Sequence, residues 1–182
     1  MTTIWSQQID PGSVLPEYPR PQFRRENWIC LNGPWDYTFT KKNKRPERPD
    51  GQILVPFSPE CIRSGVSRQL LPGEYLWYFR FVYLNTIPEN QRLLLHFGAV
   101  DQSCSVWWNG HLLGKHENGY LSFSFDVTDY LQEGNNTLWV RVQDDSDSGS
   151  QSRGKQTSRY VLYCPERDLA DGLDGMGSGK AD

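Results

Sequence analysis

The most informative segment of this chain reads Phe97-Gly-Ala-Val-Asp-Gln-Ser-Cys-Ser-Val-Trp-Trp-Asn-Gly110 and continues with His111-Leu-Leu-Gly114. Apolar and polar side chains alternate up to Trp108, and Asn109-Gly110 then supplies two residues that tolerate a positive φ. This combination is the strongest short-range signal for a β-hairpin with a type I′ turn. The segment therefore predicts two antiparallel strands joined at Asn109-Gly110.

The same alternation recurs at short intervals along the chain. In the run 120–127, Phe123, Phe125 and Val127 fall on one face of a predicted strand. A helical period is limited to a single turn over 128–131, and a turn is predicted over 133–136. About eight strands at this spacing predict an all-β fold, a jelly-roll-like antiparallel β-sandwich. The other predicted strands cover 35–39, 53–57, 76–84, 92–98 and 138–142.

The composition and charge are those of an ordinary globular chain. Of the 182 residues, 37% are hydrophobic and 13% aromatic, which is enough apolar material for one β core. The net charge of −3, with both signs interspersed, gives no electrostatic case for nucleic acid or an anionic membrane as partner. No run approaches the roughly 18 apolar residues of a membrane helix. The N-terminus also lacks the features of a signal peptide, so we expect a cytoplasmic protein.

The cysteines and histidines predict neither a disulfide framework nor a metal site. The cysteines are scattered without a C-x-x-C pair, and the histidines lack the spacing of a metal-binding set. We therefore expect reduced thiols, no metal and no cofactor. The residues concerned are Cys30, Cys61, Cys104, Cys164, His96, His111 and His116.

The aromatic residues in the alternating strands admit two interpretations. Their faces could stack on the apolar faces of sugars. Aromatic side chains also dominate β cores, however, so core packing explains them first. The residues concerned are Trp77, Trp107 or Trp108, Trp139, Phe123 and Phe125.

Three regions of the chain differ in composition. Residues 1–27 are rich in proline, which fixes φ and lacks a backbone donor, so we expect an extended N-terminal arm. Residues 28–156 carry the predicted strands and form the expected β-sandwich domain. Residues 157–182 show no periodicity and are expected to be an irregular tail.

Several segments in a fixed order carry a family resemblance. They include Pro21-Gln-Phe-Arg-Arg-Glu-Asn-Trp28, Leu31-Asn-Gly-Pro-Trp35, Val55-Pro-Phe-Ser-Pro-Glu60, Trp77-Tyr-Phe-Arg80, Phe97-Gly-Ala-Val-Asp101, Val106-Trp-Trp-Asn-Gly110, Asn136-Thr-Leu-Trp-Val-Arg-Val142 and Arg153-Gly-Lys-Gln156. Together they resemble the N-terminal sugar-binding domain, of galactose-binding-like fold, of glycoside hydrolase family 2. This family contains β-galactosidases, β-glucuronidases and β-mannosidases.

The resemblance implies a non-catalytic role for this chain. In the family, two glutamates on a separate (β/α)₈ barrel cleave the glycosidic bond, and such a barrel needs about 250 residues of its own. We therefore expect no catalytic residue here and no activity of the chain alone. The expected role is to shape the substrate subsite of a hydrolase of β-linked sugars, β-galactosidase-like, and to dock on the barrel. The expected partners are carbohydrate, bound weakly, and the remaining domains of a full-length glycosidase.

Two alternatives to this role belong to other functional classes. A free-standing carbohydrate-binding module would bind oligosaccharides measurably on its own. A purely structural interaction domain would share the fold but have no affinity for sugar.

The resemblance also implies candidate substrate-binding residues. By its position in the family pattern, Asp147 corresponds to an aspartate that contacts sugar hydroxyls, a task that suits a carboxylate because it accepts two donors. A solvated acidic turn is the alternative. Arg153 and Lys155 either line the subsite or form a surface pair, and Glu60, in the loop 58–65, is a weaker candidate.

The tail departs from the family pattern. After Gln156 the family continues toward Ser-Gly-Ile-Trp-Gln-Thr-Val-Trp-x-Glu, whereas this chain reads Asp168-Leu-Ala-Asp-Gly-Leu-Asp-Gly175. Codons for this segment, read one base later, can spell Ile-Trp-Gln-Thr-Val-Trp-Met-Glu. We therefore hypothesise that the reading frame slipped between Gln156 and Tyr160 and truncated the domain before its last strand. An evolved tail is the alternative, and sequencing the gene distinguishes the two.

Overall fold

The computed structural model of the chain describes residues 8–19, 22, 25–87 and 90–145. This part contains two single 3₁₀ turns, at Ile62–Ser64 and Thr128–Tyr130, and eight β-strands. The strands are β1 (Gly33–Thr40), β2 (Gly51–Val55), β3 (Tyr75–Leu84), β4 (Leu94–Phe97), β5 (Ser103–Trp108), β6 (His111–Glu117), β7 (Phe123–Asp126) and β8 (Gly134–Gln143).

The strands form two antiparallel sheets. The large sheet has six strands in the order β2-β1-β3-β8-β5-β6, and the small sheet pairs β4 with β7. In the centre of the large sheet, β3 pairs with β8 over the full length of both strands, from Leu76 opposite Val142 to Leu84 opposite Gly134. The prediction of an all-β, jelly-roll-like sandwich is confirmed.

The Asn109-Gly110 turn has the predicted conformation. Trp108 pairs with His111 across the hairpin, and both turn residues have positive φ, 48° at Asn109 and 84° at Gly110. The Asn109 side chain also accepts a hydrogen bond from the backbone N–H of Thr137 at 2.8 Å. The turn is thereby fastened to β8.

The core lies between the two sheets. Strands β3, β5 and β8 each turn alternate side chains inward, as the twofold period of a strand requires. Val127, directly after β7, and Ile53 of β2 are also buried in this core. The most deeply buried apolar side chains are Ile53, Leu76, Val106, Trp108, Val127 and Leu138.

The aromatic residues divide between the two faces of the large sheet. Trp108 lies in the core, and Phe123 and Phe125 pack against it, as expected. Trp107 and Trp139, which pair directly with each other, lie on the opposite face. The core-packing interpretation therefore holds for Trp108 of the two alternatives Trp107 or Trp108, and it is wrong for Trp139. Trp77 is only 4% exposed, but its side chain is buried on the outer face of the large sheet and does not belong to the core between the sheets. The reason is that alternation separates two faces without stating which one is buried.

Other boundaries differ by a few residues. The turn predicted over 133–136 is shorter, because Gly134, with a φ of 82°, already begins β8. The strand predicted over 53–57 ends at Val55. The described part of the arm, 8–19, contacts the segment before β1, where the Asn32 side chain donates to the carbonyl of Val14 at 3.2 Å. In the part of the chain described, no helix is long and apolar enough to cross a bilayer.

Cys104 is expected to resist alkylation in the folded chain. It lies on the inner face of β5, and burial raises the pKa of its thiol to about 11. At pH 8 about one thiol in a thousand is then ionised, and the thiolate is the reactive form. We expect iodoacetamide, followed by peptide mass spectrometry, to label the half-buried Cys30 and Cys61 first. Labelling of Cys104 at the same rate in native buffer would contradict the burial.

Candidate functional site

The candidate site is the connection between β2 and β3, residues 56–74, which we call the β2–β3 loop. It lies beside the C-terminal end of β8, because the backbone N–H of Gly73 donates to Asp145 at 3.3 Å. The Gln143 side chain donates to the other carboxylate oxygen of Asp145 at 3.1 Å. These bonds bring the loop that holds Glu60 to the point where the chain leaves β8.

The loop holds its shape through local hydrogen bonds around Ser64. The 3₁₀ turn Ile62–Ser64 ends at Gly65, whose φ of 82° suits a residue without a side chain. The buried Ser64 hydroxyl donates to the carbonyl of Cys61 at 2.7 Å and accepts from the N–H of Val66 at 3.0 Å. The loop is therefore fixed although it contains little regular structure.

An ion pair closes the loop at its far end. One guanidinium nitrogen of Arg68 lies 2.8 and 3.0 Å from the two carboxylate oxygens of Glu74. The same guanidinium sits 3.8 Å from the ring centre of Phe39, on β1. Arg68 therefore joins the C-terminal end of the loop to β1 of the large sheet.

Three polar atoms of this loop are buried without a hydrogen-bond partner. They are Glu60 Oε2, Arg63 Nε and Gln69 Oε1. Buried polar atoms are almost always paired, and leaving one unpaired costs about 1–3 kcal/mol. Three such atoms within ten residues single out this loop as the candidate site.

Glu60 also acts on the neighbouring core. Burial, and secondarily the negative charge of Glu60, raise the pKa of Tyr78 well above its ordinary value. The Tyr78 hydroxyl, on the inner face of β3, therefore stays protonated and remains a hydrogen-bond donor. The arrangement offers acceptors and donors suited to hydroxyl groups. Among the described residues, no group of three His, Cys, Asp or Glu side chains could hold a metal ion.

The structure describes one of the four predicted site residues. Glu60 is half-buried in the β2–β3 loop. Asp147, Arg153 and Lys155 lie outside the described residues and stay predictions, as does the tail 157–182.

Arg63 and Gln69 were not among the predicted site residues. Polar residues in a loop rich in Pro, Gly and Ser are read as solvated, and only their burial without partners singles them out. At the nearby end of β8 the described carboxylates are those of Asp144, which is buried, and Asp145.

Comparison with known families assigns the fold. Residues 69–171 match the family described as glycosyl hydrolase 2 galactose-binding domain-like. The chain belongs to this family. The match covers β3 to β8 and extends past the described residues, whereas most of the β2–β3 loop precedes it.

Curated relatives of this galactose-binding-like domain are much longer proteins. The β-galactosidase large subunit of Latilactobacillus sakei is 29% identical over 137 residues, which are 75% of this chain and 20% of that protein. A β-galactosidase of Bacteroides ovatus is 29% identical over 145 residues, 79% of this chain and 15% of the relative. The chain thus spans a fifth or less of these relatives.

Solved structures contain the same domain within larger chains. The β-glucuronidase of Bifidobacterium dentium, complexed with coumarin-3-O-glucuronide, is 29% identical with a TM-score of 0.51, over 62% of this chain and 19% of that one. The β-glucuronidase of Faecalibacterium prausnitzii has a TM-score of 0.57 over 88% of this chain and 29% of its own, at 24% identity. The second likeness concerns the fold alone.

Proposed function

We propose that this galactose-binding-like domain serves a glycoside hydrolase acting on terminal β-linked sugars, and that its β2–β3 loop shapes the sugar subsite. The observation that carries the proposal is the set of buried, unpartnered atoms on Glu60, Arg63 and Gln69. Sugar hydroxyls both donate and accept, so a sugar can pair with all three. The names of the relatives, β-galactosidases and β-glucuronidases, support this substrate class.

Each side chain has a defined part in this proposal. The carboxylate of Glu60 accepts from a sugar hydroxyl, and Gln69 accepts from a second one. Arg63 donates to a ring or hydroxyl oxygen. Asp147, Arg153 and Lys155 follow the end of β8, which the Gly73–Asp145 bond joins to this loop, and we propose them as the second side of the subsite.

Bond cleavage is assigned to other domains in this proposal. Retaining glycosidases need two carboxyl groups about 5–5.5 Å apart across the glycosidic bond, and we propose that a docked barrel domain supplies them. The 182-residue chain alone is then expected to release no nitrophenol from nitrophenyl β-galactoside or β-glucuronide. Turnover by purified material, with contaminating enzyme excluded, would contradict this division of labour.

Sugar binding by the chain tests the proposed subsite. We expect methyl β-galactoside to bind weakly, with a dissociation constant in the millimolar range in calorimetry or ligand-observed NMR, because the docked barrel domain proposed above does not take part in this measurement. Glu60→Gln keeps the shape of the side chain but removes its charge, and we expect roughly tenfold weaker binding, since hydrogen bonds to charged groups are worth about 1.5–3 kcal/mol.

Glu133→Gln is the matched control, because Glu133 is exposed just before β8. It should bind like the unmodified chain. Equal loss in both variants, or none in Glu60→Gln, would remove the β2–β3 loop from the subsite. Methyl β-glucuronide measured in parallel shows which sugar class is preferred. Micromolar affinity for an oligosaccharide would instead favour a free-standing binding module.

A further inference from the structure

The outer face of the large sheet carries an uninterrupted aromatic surface. Alternate positions of β3 place five rings in a row along this face, and two tryptophans of β5 and β8 flank them. Neighbouring rings are in contact, with centroids 5.4 Å apart for Trp77 and Trp107 and 4.5 Å for Phe79 and Trp139. The outer-face rings are Tyr75, Trp77, Phe79, Phe81, Tyr83, Trp107 and Trp139.

One end of this aromatic row is open to solvent. Phe81 is 58% and Tyr83 64% exposed, whereas Trp77, near the other end of the row, is buried. The other face of β3 contributes to the core, so Phe81 and Tyr83 are exposed on the face turned away from it. Contiguous exposed apolar surface of this kind marks a binding surface.

A cationic loop lies beside the same face. The connection between β1 and β2, residues 41–50, holds five Lys and Arg side chains and only two carboxylates, and every residue in it but Pro46 is exposed. The Arg45 guanidinium lies 5.4 Å from the ring centre of Trp139, and the Asn43 side chain accepts a hydrogen bond from Arg141. Four of the cations, Lys41, Lys42, Lys44 and Arg45, line one surface depression of about 460 Å³.

A cavity of about 120 Å³ separates this loop from the rings beneath it. Trp77, Phe79 and Trp139 form its apolar lining, and Asp36, Thr38 and Glu47 add polar groups. The indole Nε1 of Trp77 is buried without a hydrogen-bond partner. Aromatic walls with a few polar groups are the combination that suits the apolar face and the hydroxyls of a sugar.

We propose that this outer face and the cationic loop bind an acidic polysaccharide, a polymer of uronic acid residues. The rings of Phe81 and Tyr83 stack on the apolar faces of the sugars, and the loop cations pair with the carboxylates. This site goes beyond the proposed function, because it lies on the side of the sheet opposite the core and does not use Glu60.

Charge density favours a polyuronate over nucleic acid as the occupant. Duplex DNA carries one negative charge per about 1.7 Å, and its binding needs an extended basic surface. Here the exposed cations described beside the outer face lie in one short loop, and the net charge of the chain is −3. A polymer with one carboxylate per sugar presents its charges farther apart. The apolar faces of its sugars can also stack on the exposed rings of the outer face.

Calorimetry of the full chain with polygalacturonate tests the proposal. We expect binding that weakens as salt is raised, since exposed ion pairs are screened. The triple variant Lys41→Gln, Lys42→Gln, Lys44→Gln and the double variant Phe81→Ser, Tyr83→Ser should each bind roughly tenfold more weakly. All five side chains are exposed, so the variants should keep the melting temperature of the unmodified chain.

The matched controls are Arg92→Gln, a cation ion-paired with Asp126 beside the small sheet, and Leu121→Ser, an exposed apolar residue outside the outer face. Both should bind polygalacturonate normally. Four results would each overturn the proposal. Two concern the ligand, namely equal affinity for neutral galactan and tighter binding of single-stranded DNA. The other two concern the variants, namely loss of binding in a control and unchanged binding in both outer-face variants. Self-association through Phe81 and Tyr83 in place of polymer binding, seen by sedimentation, would assign the face to a second copy of the chain.

Discussion

Replacing Asn136 with alanine is expected to lower the free energy of unfolding by about 3–5 kcal/mol, because several hydrogen bonds are lost inside the sandwich. Asn136 is completely buried in β8. Its amide donates to the carbonyl of Gln132 at 2.7 Å and to that of Gly134 at 3.3 Å. Its carbonyl oxygen accepts from the Asn109 side chain at 2.7 Å and from the N–H of Gln132 at 2.9 Å.

The size of this effect follows from what remains after the substitution. Alanine leaves the donors of Asn109 and Gln132 and the carbonyl of Gln132 without their partner, and each unpaired group costs about 1–3 kcal/mol if water does not reach it. Urea unfolding followed by tryptophan fluorescence measures the loss. Asn135→Ala is the control, because its side chain is exposed one residue away, and it should cost less than about 1 kcal/mol. Similar values for both variants would show that the buried network contributes little.

Trp108→Ala is expected to destabilise the chain by about 3–5 kcal/mol through loss of buried apolar surface and creation of a cavity. Trp108 is 1% exposed and forms part of the core with Val106 and Leu138. Its indole Nε1 has no hydrogen-bond partner, so the ring contributes by packing alone.

Trp108→Phe separates packing from polarity at the same position. Phenylalanine keeps most of the ring contacts and removes the unpaired N–H, whose burial is itself unfavourable. We therefore expect it to cost less than about 2 kcal/mol, well below the alanine variant. Equal destabilisation by both, in the same urea experiment, would indicate that the indole nitrogen has a partner in solution.

The strands could be predicted from the sequence because alternation and turn residues are local properties. The Asn109-Gly110 hairpin is the clearest example, since both residues adopt the positive φ that their types allow. Which face of β3 is buried could not be predicted in the same way. Apart from Arg80, its residues are apolar or aromatic on both faces, and only the folded structure shows that Phe79, paired with Trp139, lies outside the core.

The candidate site could be predicted from the sequence less completely than the fold. Glu60 was found through its place in the family pattern, whereas the importance of Arg63 and Gln69 depends on burial without partners, a property of the folded loop. Asn136 is a similar case. It was predicted as part of a turn, and its network with Asn109 and Gln132 exists only when β8 lies beside the hairpin.

The order of the large sheet sets when this protein can begin to fold during synthesis. Its central pair joins β3, which leaves the ribosome early, to β8, the last of the described strands. Until β8 emerges, the edge of β3 that faces β8 keeps its backbone N–H and C=O groups unpaired in the nascent chain. Long-range pairing of this kind slows folding. Chaperone capture of the nascent polypeptide should therefore end only after Gln143 has cleared the exit tunnel.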